Sequence, residues 1–119
     1  MAHPAFVVET LKNRPDFLKA ARAKRQHATG FVLQCRKRSP DEADPALIRI
    51  GYTCSKKVGN AVARNAAKRR LREIARAVLP SHGKPGHDYV LIGRSIQTAT
   101  VPFQDLKNDL VKALKVLHP

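Results

Sequence analysis

Ser55-Lys56-Lys57-Val58-Gly59-Asn60-Ala61-Val62-Ala63-Arg64-Asn65-Ala66-Ala67-Lys68-Arg69-Arg70-Leu71-Arg72-Glu73-Ile74-Ala75-Arg76 is the most informative segment of the chain. Gly59 permits a backbone turn and Asn60 is a good helix N-cap, so a helix is expected from Ala61 to Leu79, with Pro80 stopping it. At about 100° per residue, Ala63, Ala67, Leu71, Ile74 and Val78 share the core face. Arg64, Lys68, Arg72 and Arg76 recur at steps of four, with Asn65 and Arg69 beside them, and Arg70 flanks the core stripe on its other edge. Lys56 to Arg76 holds eight basic residues and one acidic one, Glu73, which is placed to pair with Arg69 or Arg76. That is net +7, half of the chain's +14. Like charges at i,i+4 repel by a few tenths of a kcal/mol per pair, a cost that a polyanion reverses. Arg also suits bidentate phosphate contact. Lys56, Lys57 and the free amides of Ala61, Val62 and Ala63 converge on the helix N-terminus, where an anion is favoured.

Working outward, Tyr89-Val90-Leu91-Ile92-Gly93 reads as a buried, near-continuous apolar strand. Phe31 to Arg36 and Ala46 to Cys54 alternate as strands and are expected to form an antiparallel pair across the turn-rich loop Ser39 to Pro45. Asn13-Arg14-Pro15-Asp16 starts a first helix running to about Lys24. Thr100 is expected to cap a last helix, with a stripe of Phe103, Leu106, Leu110, Leu114 and Leu117. Residues 1–12 read as a loosely ordered lead-in. The expected architecture is α+β: about four strands in a small mixed sheet with three helices, in the order α-β-β-(β)-α-β-α.

The chain has 119 residues, one domain's worth, so 1–119 is expected to be a single RNA-binding domain. Its charge makes a polyanion the first partner to consider, and 43% hydrophobic residues are too many for a disordered basic tail. Cys35 and Cys54 lack the paired spacing of a zinc site or disulfide framework and read as small apolar fillers, which suits a reduced, cytoplasmic setting. Membrane association is not expected, since no apolar run approaches the ~20 residues of a membrane span.

The helix stretch resembles the signature of the bacterial ribonuclease P protein subunit. That pattern is a Lys-Lys-x-Gly-x-Ala-Val-x-Arg-Asn segment running into Lys-Arg-x-x-Arg-Glu. Here it is carried by Lys56, Lys57, Gly59, Ala61, Val62, Arg64, Asn65, Lys68, Arg69, Arg72 and Glu73. The likeness extends to Asp16-Phe17, Phe31-Val32-Leu33, Arg49-Ile50-Gly51 and Asp88 to Arg94. It implies a left-handed crossover between parallel strands, against the usual hand. It also implies two partners, the ribonuclease P catalytic RNA and precursor tRNA, with no obligate protein partner. The RNA would carry the active site and its Mg²⁺, so the chain would have no catalytic residue and bind no cofactor by itself. Lys56, Lys57, Asn60, Arg64, Asn65, Lys68, Arg69, Arg70, Arg72 and Arg76 would contact the catalytic RNA. Phe17, Val32, Gln34 and Arg36 would line a cleft for the single-stranded 5′ leader. The basic residue usual after Arg-Asn is Ala66 here, and two often-aromatic cleft positions are Ala21 and Gln34.

The residues also bear on three rival functions. An autonomous nuclease needs convergent carboxylates or His ligands. Asp41, Glu42 and Asp44 lie in a loop, and His82 and His87 read as isolated loop histidines, so no metal site is expected. A DNA architectural protein would show a dimeric helix pair or a groove-entering arm. A ribosomal-type or other structured-RNA-binding protein is the alternative that charge and fold class leave open.

Overall fold

The structure, a computed structural model, describes residues 8–42 and 45–118. Among the described residues five strands form one sheet: β1 (Val8–Thr10), β2 (Lys24–His27), β3 (Phe31–Lys37), β4 (Ile48–Thr53) and β5 (His87–Gly93), in the order β1-β4-β5-β3-β2. Four helices accompany them: α1 (Arg14–Ala21), α2 (Ala61–His82), α3 (Gln97–Thr100) and α4 (Phe103–Leu117). The α+β class is as expected, with one more strand and one more helix. β4 runs parallel to β1 and β5, while β3 is antiparallel to β5 and β2.

The expected antiparallel pairing of Phe31–Arg36 with Ala46–Cys54 is overturned, for β3 and β4 are not neighbours. β5 inserts between β3 and β4. The reason lies in its composition: Tyr89, Val90 and Leu91 are all at most 1% exposed, so this strand needs cover on both faces and takes the centre. The edge strands went unseen because Lys24-Arg25-Gln26-His27 and Val8-Glu9-Thr10 carry almost no apolar alternation, as befits charged, short edges. The lead-in therefore contributes a strand at Val8–Thr10, and Leu11 is buried with its amide on the Ile50 carbonyl at 2.8 Å. Residues 1–7 and Asp44 lie outside the described residues.

One face of the sheet carries the main core. Phe31, Leu33, Cys35, Ile48, Ile50, Tyr89 and Leu91 pack there against Leu71, Ile74, Val78 and Leu79 of α2 and Leu106, Leu110, Leu114 and Leu117 of α4. Ala63 and Phe103, expected in these stripes, are exposed at the first turns of their helices. α2 passes through Pro80 to His82 rather than stopping there. Pro80 sits in the last turn, where its missing N–H forfeits one ladder bond, while buried Val78 and Leu79 hold the turn to the sheet. α4 begins after Pro102, not Thr100. The Thr100 hydroxyl turns back to the Ile96 carbonyl at 3.0 Å and closes α3 instead.

The opposite face carries α1 and a smaller cluster of Leu11, Ala20 and Val90, with Phe17 and Ile92 packed against it. α1 ends at Ala21, earlier than expected, because β2 begins at Lys24. Among the described residues no helix is long and apolar enough to cross a membrane.

Candidate nucleic-acid interface

The basic helix is set up by a turn. Ser55 accepts from the Lys57 amide at 3.3 Å across a single 3-10 turn, Lys56–Val58. Gly59 follows at φ 143°, a conformation open to glycine at little cost. Asn60 caps α2 through Oδ1, which accepts from the Ala63 amide at 2.9 Å. That amide is therefore occupied, and only the first amides of the expected anion cradle are left. Lys56, Lys57 and Asn60 are exposed around this terminus.

The cations of α2 divide between its two flanks. Arg64, Lys68, Arg72 and Arg76 run along the β4 side. Arg64 and Lys68 sit near Cys54, Arg72 and Arg76 near Tyr52, and the Arg72 guanidinium lies 5.5 Å from the Tyr52 ring centroid. Arg72 and Arg76 overhang a cavity of about 260 Å³ floored by Val8, Thr10, Ile50 and Tyr52. Burial nonetheless raises the Tyr52 hydroxyl above its ordinary pKa, against the pull of the two arginines. Asn65 and Arg69 lie beside this row on the outward side of the helix, and Arg70, on the other flank, donates to the Thr98 carbonyl of α3 at 2.8 Å. Arg70 is thus partly a structural tether. Glu73 is exposed and forms no ion pair among the described residues, so the pairing expected for it is absent. Arg64, Lys68, Arg72 and Arg76 likewise have no carboxylate partner there, and the buried Nε of Arg64 makes no hydrogen bond.

The four expected cleft residues lie on the α1 side of the sheet. Strand register arranges that face in three cross-strand rows: Arg36·Asp88·Arg49, Gln34·Val90·Gly51 and Val32·Ile92·Thr53. The first row is an ion cluster. Asp88, fully buried, accepts from Arg38 and Arg49 at 2.7 Å each and again from Arg49 at 2.6 Å. Arg36 is held by Glu42 at 2.8–2.9 Å and lies 3.7 Å from Asp88. Its bonds to Glu42 pull that carboxyl down to about 2. Arg36 is therefore an anchored side chain rather than a free cation.

The middle row is roofed by α1. Gln34 is only 5% exposed, and Phe17 lies so close over Gly51 that a Cβ there would fall 2.4 Å from the ring. Phe17 is half-buried and packs against the cluster of Leu11, Ala20 and Val90. The third row is half-buried throughout, with Val32, Ile92 and Thr53 forming a shallow floor beside exposed His27. Ile92 and Thr53 were not expected here. Period-two alternation places both on this face, but Tyr89–Gly93 reads as apolar on both sides. Thr53 leads in three residues to Lys56, so the open end of this floor adjoins the basic turn.

The expectation of isolated loop histidines does not hold for His87. Its ring meets that of His118 edge-on with centroids 4.8 Å apart, and Cys35 lies beside both.

The comparisons with known proteins agree with this geometry. The family model described as Ribonuclease P matches residues 7–118. The ribonuclease P protein component of Ruegeria pomeroyi is 61% identical over 111 residues, covering 93% of this chain and 87% of that protein. That of Caulobacter vibrioides is 49% identical over 106 residues, covering 89% and 68%. Among solved structures, the RNase P protein of Thermotoga maritima superposes with a TM-score of 0.69 at 32% identity, over 91% of this chain and 96% of that one. The Staphylococcus aureus protein gives 0.69 at 28% identity, over 91% and 94%. With the family pattern matched from end to end and the same fold beneath it, the chain belongs to the ribonuclease P protein family.

Proposed function

We propose that this chain serves as the protein subunit of a cytoplasmic ribonuclease P. It binds the catalytic RNA through the 56–58 turn and the cationic flank of α2, and the 5′ leader of precursor tRNA across the α1 side of the sheet. The observation that carries this reading is the row Arg64, Lys68, Arg72 and Arg76, four like charges on one flank with no carboxylate partner among the described residues. A phosphate backbone supplies the missing counter-charge.

Its contribution to cleavage is positional and electrostatic. Neutralised phosphates let the two RNAs approach and lower the cation concentration they need. Phe17, half-buried, offers a base an aromatic ring to stack on, and Val32 with Ile92 offers an apolar floor. Gln34 is buried beneath α1, and Arg36 is anchored by Glu42 and Asp88 at the edge of that face. Mg²⁺ is assigned to the RNA. On the chain, Asp88 is taken up by arginines and Glu42 by Arg36 and Lys19, so neither carboxylate is available to a hard cation.

The test is cleavage of a precursor tRNA by a bacterial catalytic RNA at low Mg²⁺, with and without the protein. Cleavage restored by the protein and dependent on the RNA supports the subunit role. No rescue, with tight binding to another structured RNA, overturns it in favour of a ribosomal-type protein. Cleavage by the protein alone overturns it too.

A further inference from the structure

Away from the RNA-facing surfaces, at the far end of the sheet, Cys35 of β3, His87 at the start of β5 and His118 just after α4 converge. One donor atom from each lies within 4.8 Å of the other two. We propose that these three side chains form a binding site for a borderline-soft divalent cation of the Zn²⁺ class, which clips the end of α4 to the sheet.

The separation of Cys35 and His118 suits such an ion. Tetrahedral coordination, with Zn–S near 2.3 Å and Zn–N near 2.0–2.1 Å, places sulfur and nitrogen about 3.6 Å apart. Cys35 Sγ and His118 Nε2 stand 3.7 Å apart. His87 is oriented as a ligand would be. Its Nδ1 donates to the Pro85 carbonyl at 3.0 Å, since a carbonyl only accepts, and in the neutral ring this leaves the Nε2 lone pair free. The Tyr89 hydroxyl accepts from the Lys84 amide at 2.9 Å and turns its own proton to His118 Nε2 at 2.7 Å. That nitrogen therefore also presents a lone pair, and the hydroxyl yields it to the ion on loading. Burial and the neighbouring His87, Lys84 and Lys24 hold His118 down to about 4, so the ring is neutral at pH 7.

Cys35 is the ligand that selects the metal. Burial pushes its thiol up to about 12, so without an ion it stays protonated, even with Lys24 and Lys84 near it. A bound cation takes the thiolate, and the thiol proton leaves to solvent. Mixed sulfur and imidazole donors favour Zn²⁺ over Mg²⁺ or Ca²⁺. The site opens on a cavity of about 420 Å³ bordered by Ala23, Lys24 and Lys37, which gives an ion a way in and leaves a fourth position for water.

The experiment uses the full chain without an affinity tag. Equilibrium dialysis against micromolar Zn²⁺ is expected to give one equivalent bound. Co²⁺ in its place is expected to give a near-ultraviolet thiolate-to-cobalt band. Cys35→Ser abolishes that band and weakens Zn²⁺ at least tenfold, and His118→Gln weakens it by a similar factor. His118 follows the last helix, so His118→Gln keeps the test decisive if Cys35→Ser fails to fold. Absence of stoichiometric binding overturns the proposal. So does binding that both variants leave unchanged, which would place the ion on exposed histidines elsewhere.

Discussion

Arg64→Gln combined with Lys68→Gln separates a surface made for RNA from a merely solvated helix face. Both side chains belong to the four-cation row and have no ion pair among the described residues. If each contacts one phosphate, losing both reduces the magnitude of the log affinity–log salt slope for the catalytic RNA by about 1.4–1.8. The free protein responds in the opposite direction. The double variant removes the 64–68 and 68–72 repulsions, each ~0.2–0.5 kcal/mol, and Gln keeps helix propensity close to that of Arg and Lys. The gain of about 0.4–1 kcal/mol corresponds to a rise of roughly 2–4 °C in Tm for a chain of this size. The assay is filter binding of the catalytic RNA over a series of KCl concentrations at fixed Mg²⁺, beside thermal melts of the protein alone. Lys112→Gln with Lys115→Gln on the exposed side of α4 serves as the control and leaves the slope unchanged. An unaltered slope in the α2 variant, an equal change in the control, or a Tm several degrees lower would refute the reasoning.

Three further outcomes are expected. Phe17→Ala weakens binding of precursor tRNA by the ~1–3 kcal/mol of one lost base stack and leaves mature tRNA nearly unaffected. Gly51→Ala, whose Cβ displaces the Phe17 ring, goes the same way, and equal losses on both RNAs would remove Phe17 from the leader path. Asp88→Asn strips the buried carboxylate from Arg38 and Arg49 and costs about 3–5 kcal/mol, read as a lower urea midpoint at unchanged slope. Glu42 has its folded pKa lowered to about 2 from the ordinary 4.5, so the folded state binds fewer protons. Its contribution is complete above pH 4.5 and fades as pH falls towards 2. Melting curves across that window should differ between the wild type and Glu42→Gln in steepness with pH.

The reach of the sequence differs between the two surfaces proposed to face RNA. The α2 row was legible because a helix is local: a period of 3.6 converts steps of four into one flank without reference to the rest of the chain. The helix still ran past Pro80, because burial of Val78 and Leu79 outweighed one lost hydrogen bond. The α1-side floor was only half legible. Alternation placed Val32, Gln34 and Arg36 on one face, but Ile92 and Thr53 join them only because β5 lies between β3 and β4. That order answers to the two-sided burial of β5, a tertiary demand.

By itself, then, the sequence determined the α+β class, the long basic helix with its cap, and the family pattern, since all three rest on residues near one another in the chain. The tertiary structure alone decided the strand order, the capture of Arg36 by Glu42 and Asp88, and the meeting of Cys35, His87 and His118. Apart from Arg36–Glu42, those contacts join residues far apart in sequence. They exist because packing the apolar faces of β5, α2 and α4 brings the strand ends and the end of α4 together, which no local periodicity encodes.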